Sequence, residues 1–289
     1  MALALVVLAA LIHATWNLLA KRAASAGAAF VFAYTAFSLV LYAPWVVYLL
    51  WQGQSQWSGP IVACIAVSGV LQLAYTLLLQ RGYQVADLSV VYPVARGTGP
   101  LMSTVGAFVL LGESASWSKA GGLLAIVAGI VLITTQGSMA KFRQPAAYKG
   151  LQWGGMTGVT IAGYTVVDAY AVKVLGIVPV VLDWCACLLR LVALLPWVLR
   201  NRAEVLERMR GYWLLAAVVG ALCPMAYILV LLALKQGAPL SFVAPAREMS
   251  MMMGALLGML VLREPVGLWR LVGCLTTIGG VLLLGATAH

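Results

Sequence analysis

QVADLSVVYPVAR at residues 84–96 and QGAPLSFVAPAR at residues 236–247 are two copies of one segment. In each copy a glutamine is followed by Leu-Ser, then a proline, then an arginine, within a mostly apolar stretch. The offset between the copies is 152 residues up to the prolines and 151 at the arginines, which a single insertion or deletion explains. The chain therefore contains an internal repeat.

The repeat extends over most of the chain. Matching residues occupy corresponding positions at Lys21 and Lys173, Pro44-Trp45 and Pro196-Trp197, Ala74-Tyr75 and Ala226-Tyr227, Glu113 and Glu264, and Gly129 and Gly280. We therefore predict two related units, residues 1–140 and residues 141–289.

The composition is that of a membrane protein. Hydrophobic residues make up 63% of the chain and charged residues only 9%, with a mean hydropathy of +1.00, whereas charged residues are about 25% of an ordinary soluble domain. We predict a multi-pass protein of the inner membrane, in contact with the lipid bilayer. Because Lys and Arg mark loops and set orientation in such proteins, the net charge of +10 predicts no nucleic-acid partner.

A membrane-spanning helix needs about 20 mostly apolar residues. This criterion predicts ten spans, at residues 3–22, 29–51, 60–80, 86–111, 118–137, 148–173, 177–199, 211–234, 238–262 and 267–287. Because each repeat has an odd number of spans, the second copy crosses the membrane in the opposite direction to the first. The predicted fold is an all-α polytopic membrane protein, with two inverted five-helix repeats around a central cavity.

Basic residues are concentrated on one face of the predicted topology. The face reached after spans 1, 3, 5, 7 and 9 carries eleven Lys and Arg, and the opposite face carries three. By the positive-inside rule the first face is cytoplasmic and both termini are outside. Rows of small residues such as Gly150, Gly154 and Gly158 favour close packing within one chain over a dimer face, so we predict a monomer or a weak dimer.

The sequence does not predict an enzyme. The five cysteines all lie inside apolar segments and are odd in number, which favours a packing role over a disulfide framework. His13 and His289 are the two histidines, and the chain has no phosphate-binding glycine loop, metal-ligand cluster or activated nucleophile. No cofactor or metal is predicted.

Charged residues inside the spans are the strongest functional signal, because they are costly in hydrocarbon and usually face a cavity or a partner. Each repeat combines a serine, a proline and an arginine: Ser89, Pro93 and Arg96 in the first copy, and Ser241, Pro245 and Arg247 in the second. A proline leaves the carbonyl four residues earlier without its helical partner, so each copy offers a freed serine carbonyl beside an arginine.

Polar residues continue along both of these spans at helical spacing. Tyr92 joins Ser89 and Arg96 on the fourth predicted span, and Glu248 follows Arg247 on the ninth. We expect the two stripes to face each other across the cavity. The alternative is that the arginines are structural, tied to helix carbonyls or to Glu248 and Asp168.

Further candidates lie on other spans. His13, Trp16 and Asn17 share one helix face. The remaining candidates are Tyr75, Tyr164, Asp168, Arg190 and Tyr227. Asp183 and Arg190 are seven residues apart, about 10.5 Å along a helix, so we do not expect a simple direct pair. Tyr34, Ser38 and Tyr42 are also in line on the second predicted span.

Several short motifs together carry a family resemblance: an early Trp16-Asn17 followed by Lys21, the stretch ALKQGAPLS at 233–241, and the Gly-Glu and Arg-Glu pairs at 112–113 and 263–264. With these motifs the chain resembles the EamA group of the drug/metabolite transporter superfamily. The resemblance implies a ten-helix basket with a cavity lined by spans 1, 3, 4, 6, 8 and 9, often exporting amino acids or other small metabolites. HATWN at 13–17 also resembles a subgroup associated with phosphonate utilisation. Relatives are commonly drawn with cytoplasmic termini, the reverse of the charge count here.

These residues favour a secondary transporter, an exporter or exchanger, of a small anionic or zwitterionic metabolite such as an amino acid or aminophosphonate. Arginine matches carboxylate or phosphonate oxygens, while Glu248 or Asp168 could take an ammonium group or a coupling proton. One alternative is export of aromatic or apolar compounds, with Trp16, Tyr75, Tyr92 and Tyr227 as the walls. The other is a lipid-handling or purely structural membrane protein.

Overall fold

The computed structural model describes residues 2–54, 57–86, 88–144, 147–254 and 267–286, and within them every long element is an α-helix. In chain order the helices are α1 (Ala2–Arg22), α2 (Gly27–Trp51), α3 (Gly59–Val85), α4 (Leu88–Leu110), α5 (Trp117–Thr135), α6 (Ala147–Lys173), α7 (Pro179–Arg200), α8 (Arg202–Arg208), α9 (Trp213–Lys235), α10 (Leu240–Ala246), α11 (helical residues 249–254) and α12 (Leu268–Ala286).

Seven of the described helices are long and apolar enough to cross a membrane: α1, α2, α3, α5, α7, α9 and α12. The fourth and sixth predicted spans also form long helices, of 23 and 27 residues, but they are not among the seven. The ninth predicted span begins as α10 and is interrupted at residues 247–248. The chain is thus a multi-pass helical protein, and ten spans in inverted repeats remain a prediction.

The polar stretch between α7 and α9 is more ordered than a simple loop. Its seven residues Arg202–Arg208 form α8, which turns two apolar side chains, Val205 and the following Met209, into the protein. These two side chains belong to one buried cluster with Ala26, in the connection before α2, and Ala29, in the first turn of α2. The connections before α2 and before α9 therefore lie on the same face of the molecule.

Helices of the two halves pack closely against each other. α6 lies on both α4 and α3, α9 lies on α1 and α2, and α12 lies on α5. At Gly154 an added Cβ would come within 2.7 Å of the Val91 carbonyl oxygen, and at Gly158 within 2.5 Å of Thr98 Cβ. The predicted use of the glycine row for packing within the chain is confirmed for α6. A second row includes Gly258, which lies outside the described residues.

Candidate functional site

A cavity of about 380 Å³ lies between the two halves. Side chains of α1, α2, α3, α4, α6, α7 and α9 line it, together with Arg247 in the break between α10 and α11. Ala23, in the connection from α1 to α2, and Gly27, the first residue of α2, are also in the lining. The cavity therefore runs from mid-span to the face of the molecule that carries this connection.

A cluster of two arginines and one glutamate lies at the inner end of the cavity. Arg96 Nε lies 3.0 Å from Glu248 Oε2, and Arg247 Nε lies 3.8 Å from Glu248 Oε1. Arg96 also donates from Nη2 to Ser250 Oγ, and its guanidinium carbon lies 5.8 Å from the centre of the Tyr92 ring. Two guanidinium groups thus share one carboxylate, which leaves the cluster with a net positive charge.

The break between α10 and α11 positions two members of this cluster. Pro245 cannot donate a backbone hydrogen bond, and α10 ends one residue later, at Ala246. The N–H of Glu248 then donates to the Pro245 carbonyl, and the N–H of Ser250 donates to the Arg247 carbonyl. Both bonds span three residues, so the backbone makes a tight turn here. By contrast α4 continues through Pro93 without a break.

Four buried N–H donors in the cavity lining have no hydrogen-bond acceptor among the described residues: Trp16 Nε1, Arg96 Nε, Arg190 Nε and Arg247 Nε. Arg96 Nε and Arg247 Nε form ion pairs with Glu248, at 3.0 and 3.8 Å, without hydrogen-bond geometry. Arg190 does donate from Nη2 to Gln72 Oε1, at 2.6 Å. Buried donors are normally satisfied, and leaving one unpaired costs about 1–3 kcal/mol. The cavity wall is therefore equipped to bind a ligand with acceptor atoms.

A carboxylate also lines the cavity, close to one of these arginines. Cys187 lies between Asp183 and Arg190, with its Sγ 4.0 Å from Asp183 Oδ2 and 4.0 Å from Arg190 Nη2. The described residues show no direct ion pair between Asp183 and Arg190, as their spacing along the helix predicts. The cavity wall therefore carries the Asp183 carboxylate and the Arg190 guanidinium group near each other.

Aromatic side chains form the rest of the polar wall. The Tyr164 ring centre lies 6.1 Å from that of Tyr75 and 6.1 Å from that of Tyr227, so one row crosses from α3 through α6 to α9. On α1 the His13 and Trp16 rings meet edge to face at 4.9 Å, and Asn17 donates to the His13 carbonyl. All six residues line the cavity.

Four predicted site residues do not line the cavity: Tyr92, Asp168, Ser241 and Glu248. Asp168 is fully buried and accepts a hydrogen bond from the Tyr227 hydroxyl, so it lies behind the aromatic row. Glu248 is 1% exposed and faces the two arginines. The expectation that the two polar stripes face each other across the cavity is therefore wrong for Arg96 and Glu248, which meet directly. The side chain of Ser89 lies outside what the structure describes.

The structure also adds residues to the cavity that the candidate set did not contain. Tyr34, Ser38, Asp183, Cys187 and Cys223 are part of the lining. The first two share one face of α2, which is the signal for them in the sequence, whereas the sequence gives Asp183 only a spacing from Arg190. The sequence favours a packing role for the cysteines, because a small apolar side chain in a span does not indicate the space beside it.

A hydrogen-bonded group closes the face opposite the cavity opening, and we call it the Glu113 latch. The Glu113 carboxylate accepts hydrogen bonds from the backbone N–H groups of Leu240 and Ser241, at 2.6 and 2.9 Å. Lys173 Nζ lies 3.2 Å from Glu113 Oε1 and also donates to the Ala238 carbonyl. The latch thus ties the end of α4, in the first half, to α6 and the start of α10, in the second.

Electrostatics favour the ionised form of Glu113. Burial alone would raise the pKa of its carboxyl, but the hydrogen bonds from Ser241 and Leu240 and the Lys173 ammonium outweigh it and hold the pKa below its ordinary value. Beside the latch, Val6, Leu182, Leu234 and other apolar side chains form a buried cluster with Leu240. In the sequence, Glu113 corresponds to Glu264 and Lys173 to Lys21 in the other repeat. This correspondence is the feature of the sequence that indicates a role for Glu113 and Lys173.

Comparisons with known proteins agree on the architecture. The model of the EamA-like transporter family matches residues 1–135 and residues 148–286. A protein of known crystal structure superimposes with a TM-score of 0.75 over 99% of this chain and 98% of its own, at 16% sequence identity. At that identity the likeness shows the fold alone. No curated protein matches the sequence significantly.

Proposed function

The chain belongs to the EamA-like transporter family, and from that premise we propose that it is a secondary transporter of a small anionic or zwitterionic metabolite, such as an amino acid or aminophosphonate. The unpaired donors of the cavity wall carry the proposal. Arg190 and Arg247 each present a buried Nε without an acceptor, and a guanidinium is suited to carboxylate or phosphonate oxygens. A ligand anion would supply the missing acceptors.

The charge balance of the lining extends the proposal to zwitterions. Arg96 and Arg247 share a single carboxylate, that of Glu248, so an anion in the cavity would compensate their excess charge. Asp183 lines the same cavity near Arg190, where it can accept hydrogen bonds from an ammonium group. A cation without an acid group would instead meet three arginines.

Alternating access at this cavity is the mechanism we propose. The cavity reaches one face through the α1–α2 connection, while the Glu113 latch and its apolar cluster close the other. A discontinuous helix at a mid-span site is a recurrent construction in transporters built from inverted repeats. In the repeat, α1 corresponds to α6 and α3 corresponds to α9. The contact of α1 with α9 therefore corresponds to the contact of α6 with α3, and the structure contains both contacts.

Export or exchange is the direction we propose, and the conformation of the structure is compatible with it. The face to which the cavity opens carries exposed basic residues at Arg22, Arg81, Arg200 and Arg210, and such a face is cytoplasmic by the positive-inside rule. The structure then has its site open to the cytoplasm and closed to the outside. That is the state in which an exporter or exchanger loads its internal substrate.

Binding and transport assays test the proposal. Amino acids, aminophosphonates and organic phosphates are screened by thermal shift on the purified protein, because a ligand that binds the folded state stabilises it. Any stabilising compound is then followed into proteoliposomes. We expect Arg247→Ala and Arg190→Ala to lose both binding and transport, while Arg143→Ala, at an exposed site away from the cavity, retains them. Unaltered transport of an acidic substrate by both cavity variants would rule the proposal out.

Export of aromatic or apolar metabolites is the second candidate, and the row formed by Tyr75, Tyr164 and Tyr227 favours it. This candidate predicts competition by neutral aromatic compounds and indifference to both arginine substitutions. A purely structural membrane protein, the third reading of the sequence, would not need the cavity of about 380 Å³ or its unpaired donors.

A further inference from the structure

We propose that a groove on the outer surface of α2 is a binding site for an anionic phospholipid. The groove has a volume of about 420 Å³ and lies between α2, the end of α7, α8 and the start of α9. Eleven of its twelve lining residues are apolar, among them Phe32, Ala36 and Val40. The twelfth is Arg202.

The groove is separate from the transport cavity. Tyr34 and Ser38 line the cavity, whereas Phe32, Ala36 and Val40 line the groove, so the two lie on opposite sides of α2. Val40 is 71% exposed in the chain. In a membrane protein such an apolar outer surface contacts lipid chains, and the concave shape offers a chain more contact than a flat helix surface would.

Charge and position argue for the headgroup. Arg202 is exposed and stands at the start of α8, on the face that carries the α1–α2 connection. The neighbouring ion pair joins Arg208 to Glu204, at 2.6 Å, and within the described residues Arg202 has no carboxylate partner. Trp213, 45% exposed, also lines the groove, and tryptophan is enriched at the level of the headgroups.

The sequence around α8 favours an anionic over a zwitterionic lipid. Residues 200–210 contain four arginines and two glutamates, so this segment carries a net positive charge. Each Lys or Arg near an anionic membrane surface contributes about 1 kcal/mol of attraction. An acyl chain in the apolar groove and a phosphate at Arg202 would together fill the site, and the bound lipid would support α2 from the side opposite the cavity.

The test compares lipids on delipidated, purified full-length protein. We expect phosphatidylglycerol to raise the melting temperature more than phosphatidylcholine does, and inorganic phosphate to have no effect. Arg202→Gln should weaken the apparent affinity for phosphatidylglycerol about fivefold, and Ala36→Phe should block the groove. Arg143→Gln, which removes an exposed charge from another connection, is the matched control and should bind like the wild type.

Three results would each overturn the proposal. The first is equal stabilisation of the wild type by the two phospholipids, and the second is stabilisation by inorganic phosphate alone. The third is an apparent affinity for phosphatidylglycerol that Arg202→Gln leaves unchanged. If Ala36→Phe does not fold, the Arg202 comparison decides the question by itself. None of these measurements depends on transport, so the proposed lipid site and the proposed transport function are tested independently of each other.

Discussion

Two buried carboxylates near the cavity, Glu248 and Asp168, have chemically different partners and are therefore expected to have different roles. Glu248 faces the guanidinium groups of Arg96 and Arg247 and forms an ion pair with each. Asp168 accepts a hydrogen bond from Tyr227 through Oδ2, and Ser68 and Gln72 also interact with its carboxyl group. Of the two residues suggested by the sequence for proton coupling, Asp168 is therefore the better candidate and Glu248 the better structural partner.

Asp168→Asn should abolish the dependence of transport on a proton gradient while leaving substrate exchange. The amide has nearly the shape of the carboxylic acid and can still accept from Tyr227, but it cannot release a proton. The measurement is uptake into proteoliposomes with and without a pH gradient, beside counterflow in the same vesicles. Glu204→Gln, at an exposed ion pair, is the control. Proton-driven uptake that persists in Asp168→Asn would exclude the role.

Glu248→Gln should destabilise the fold. It removes the carboxylate that forms ion pairs with Arg96 and Arg247, and breaking a buried ion pair from one side costs about 3–5 kcal/mol. Glu204→Gln removes an exposed carboxylate from its arginine and should cost about 1 kcal/mol or less. Denaturation of both variants in detergent micelles measures the difference. Equal stabilities would show that the cluster contributes little.

The sequence identifies the charged residues of the cavity but not their partners. Charge inside an apolar span identified Arg96, Arg190 and Arg247, and all three line the cavity. Helical spacing predicts that Glu248 and Asp168 lie on polar helix faces, but it does not reveal which side chains of other helices contact them. Glu248 contacts Arg96 and Asp168 contacts Tyr227. Both partners come from helices that are distant in the sequence.

Among the elements, the Glu113 latch joins the two halves where the molecule is closed. A carboxylate that accepts from two N–H groups at the start of a helix also interacts favourably with the helix dipole. Lys173 completes the group from α6. If this face opens during transport, α4 must separate from α10 and these bonds must break, so the latch stabilises the conformation seen here.

Glu113→Gln should shift the protein toward a state open at the latch face. Spin labels at Ala115 and Gln236, both exposed and in different halves, report the separation in a background without the five native cysteines. Loss of a hydrogen bond to a charged group is worth about 1.5–3 kcal/mol, so the ratio of open to closed should rise by roughly tenfold or more. An unchanged distance distribution in folded Glu113→Gln would count against the latch.

Acid should have the same effect as this substitution. Because the pKa of Glu113 is lowered in the folded closed state, the stabilisation is complete above the ordinary glutamate pKa of about 4.3. It is lost as the pH falls through the lowered pKa. The label distances of the wild type should therefore approach those of Glu113→Gln only well below pH 4.3. Convergence near neutral pH would contradict this assignment.

The ends of the long helices are easier to predict from the sequence than the break between α10 and α11. Apolar length and charged flanks placed α2, α6 and α9 within a few residues of their observed ends. Residues 238–254 are mostly apolar apart from Arg247 and Glu248, and hydropathy averaged over a span does not distinguish a continuous helix from one that is broken at 247–248. The proline at 245 suggested a distortion, yet Pro93 leaves α4 continuous, where that helix is packed along the glycine row of α6.

At the scale of the whole molecule, the repeat predicts a second latch. The sequence pairs Glu113 with Glu264, Lys173 with Lys21, and Leu240-Ser241 with Leu88-Ser89. Glu264 and the side chains of Lys21, Leu88 and Ser89 lie outside what the structure describes, so this pairing rests on the sequence. If inverted halves exchange conformations during transport, the second set should close the basic face when the latch face is open.

Glu264→Gln should therefore act in the opposite direction to Glu113→Gln. It would weaken the state that is closed at the basic face and so keep the labels at Ala115 and Gln236 close together. The double variant removes one contact from each state, and its distance distribution should return toward that of the wild type. A shift in the same direction by both single variants would refute the exchange of halves, because two latches on one face cannot stabilise opposite states.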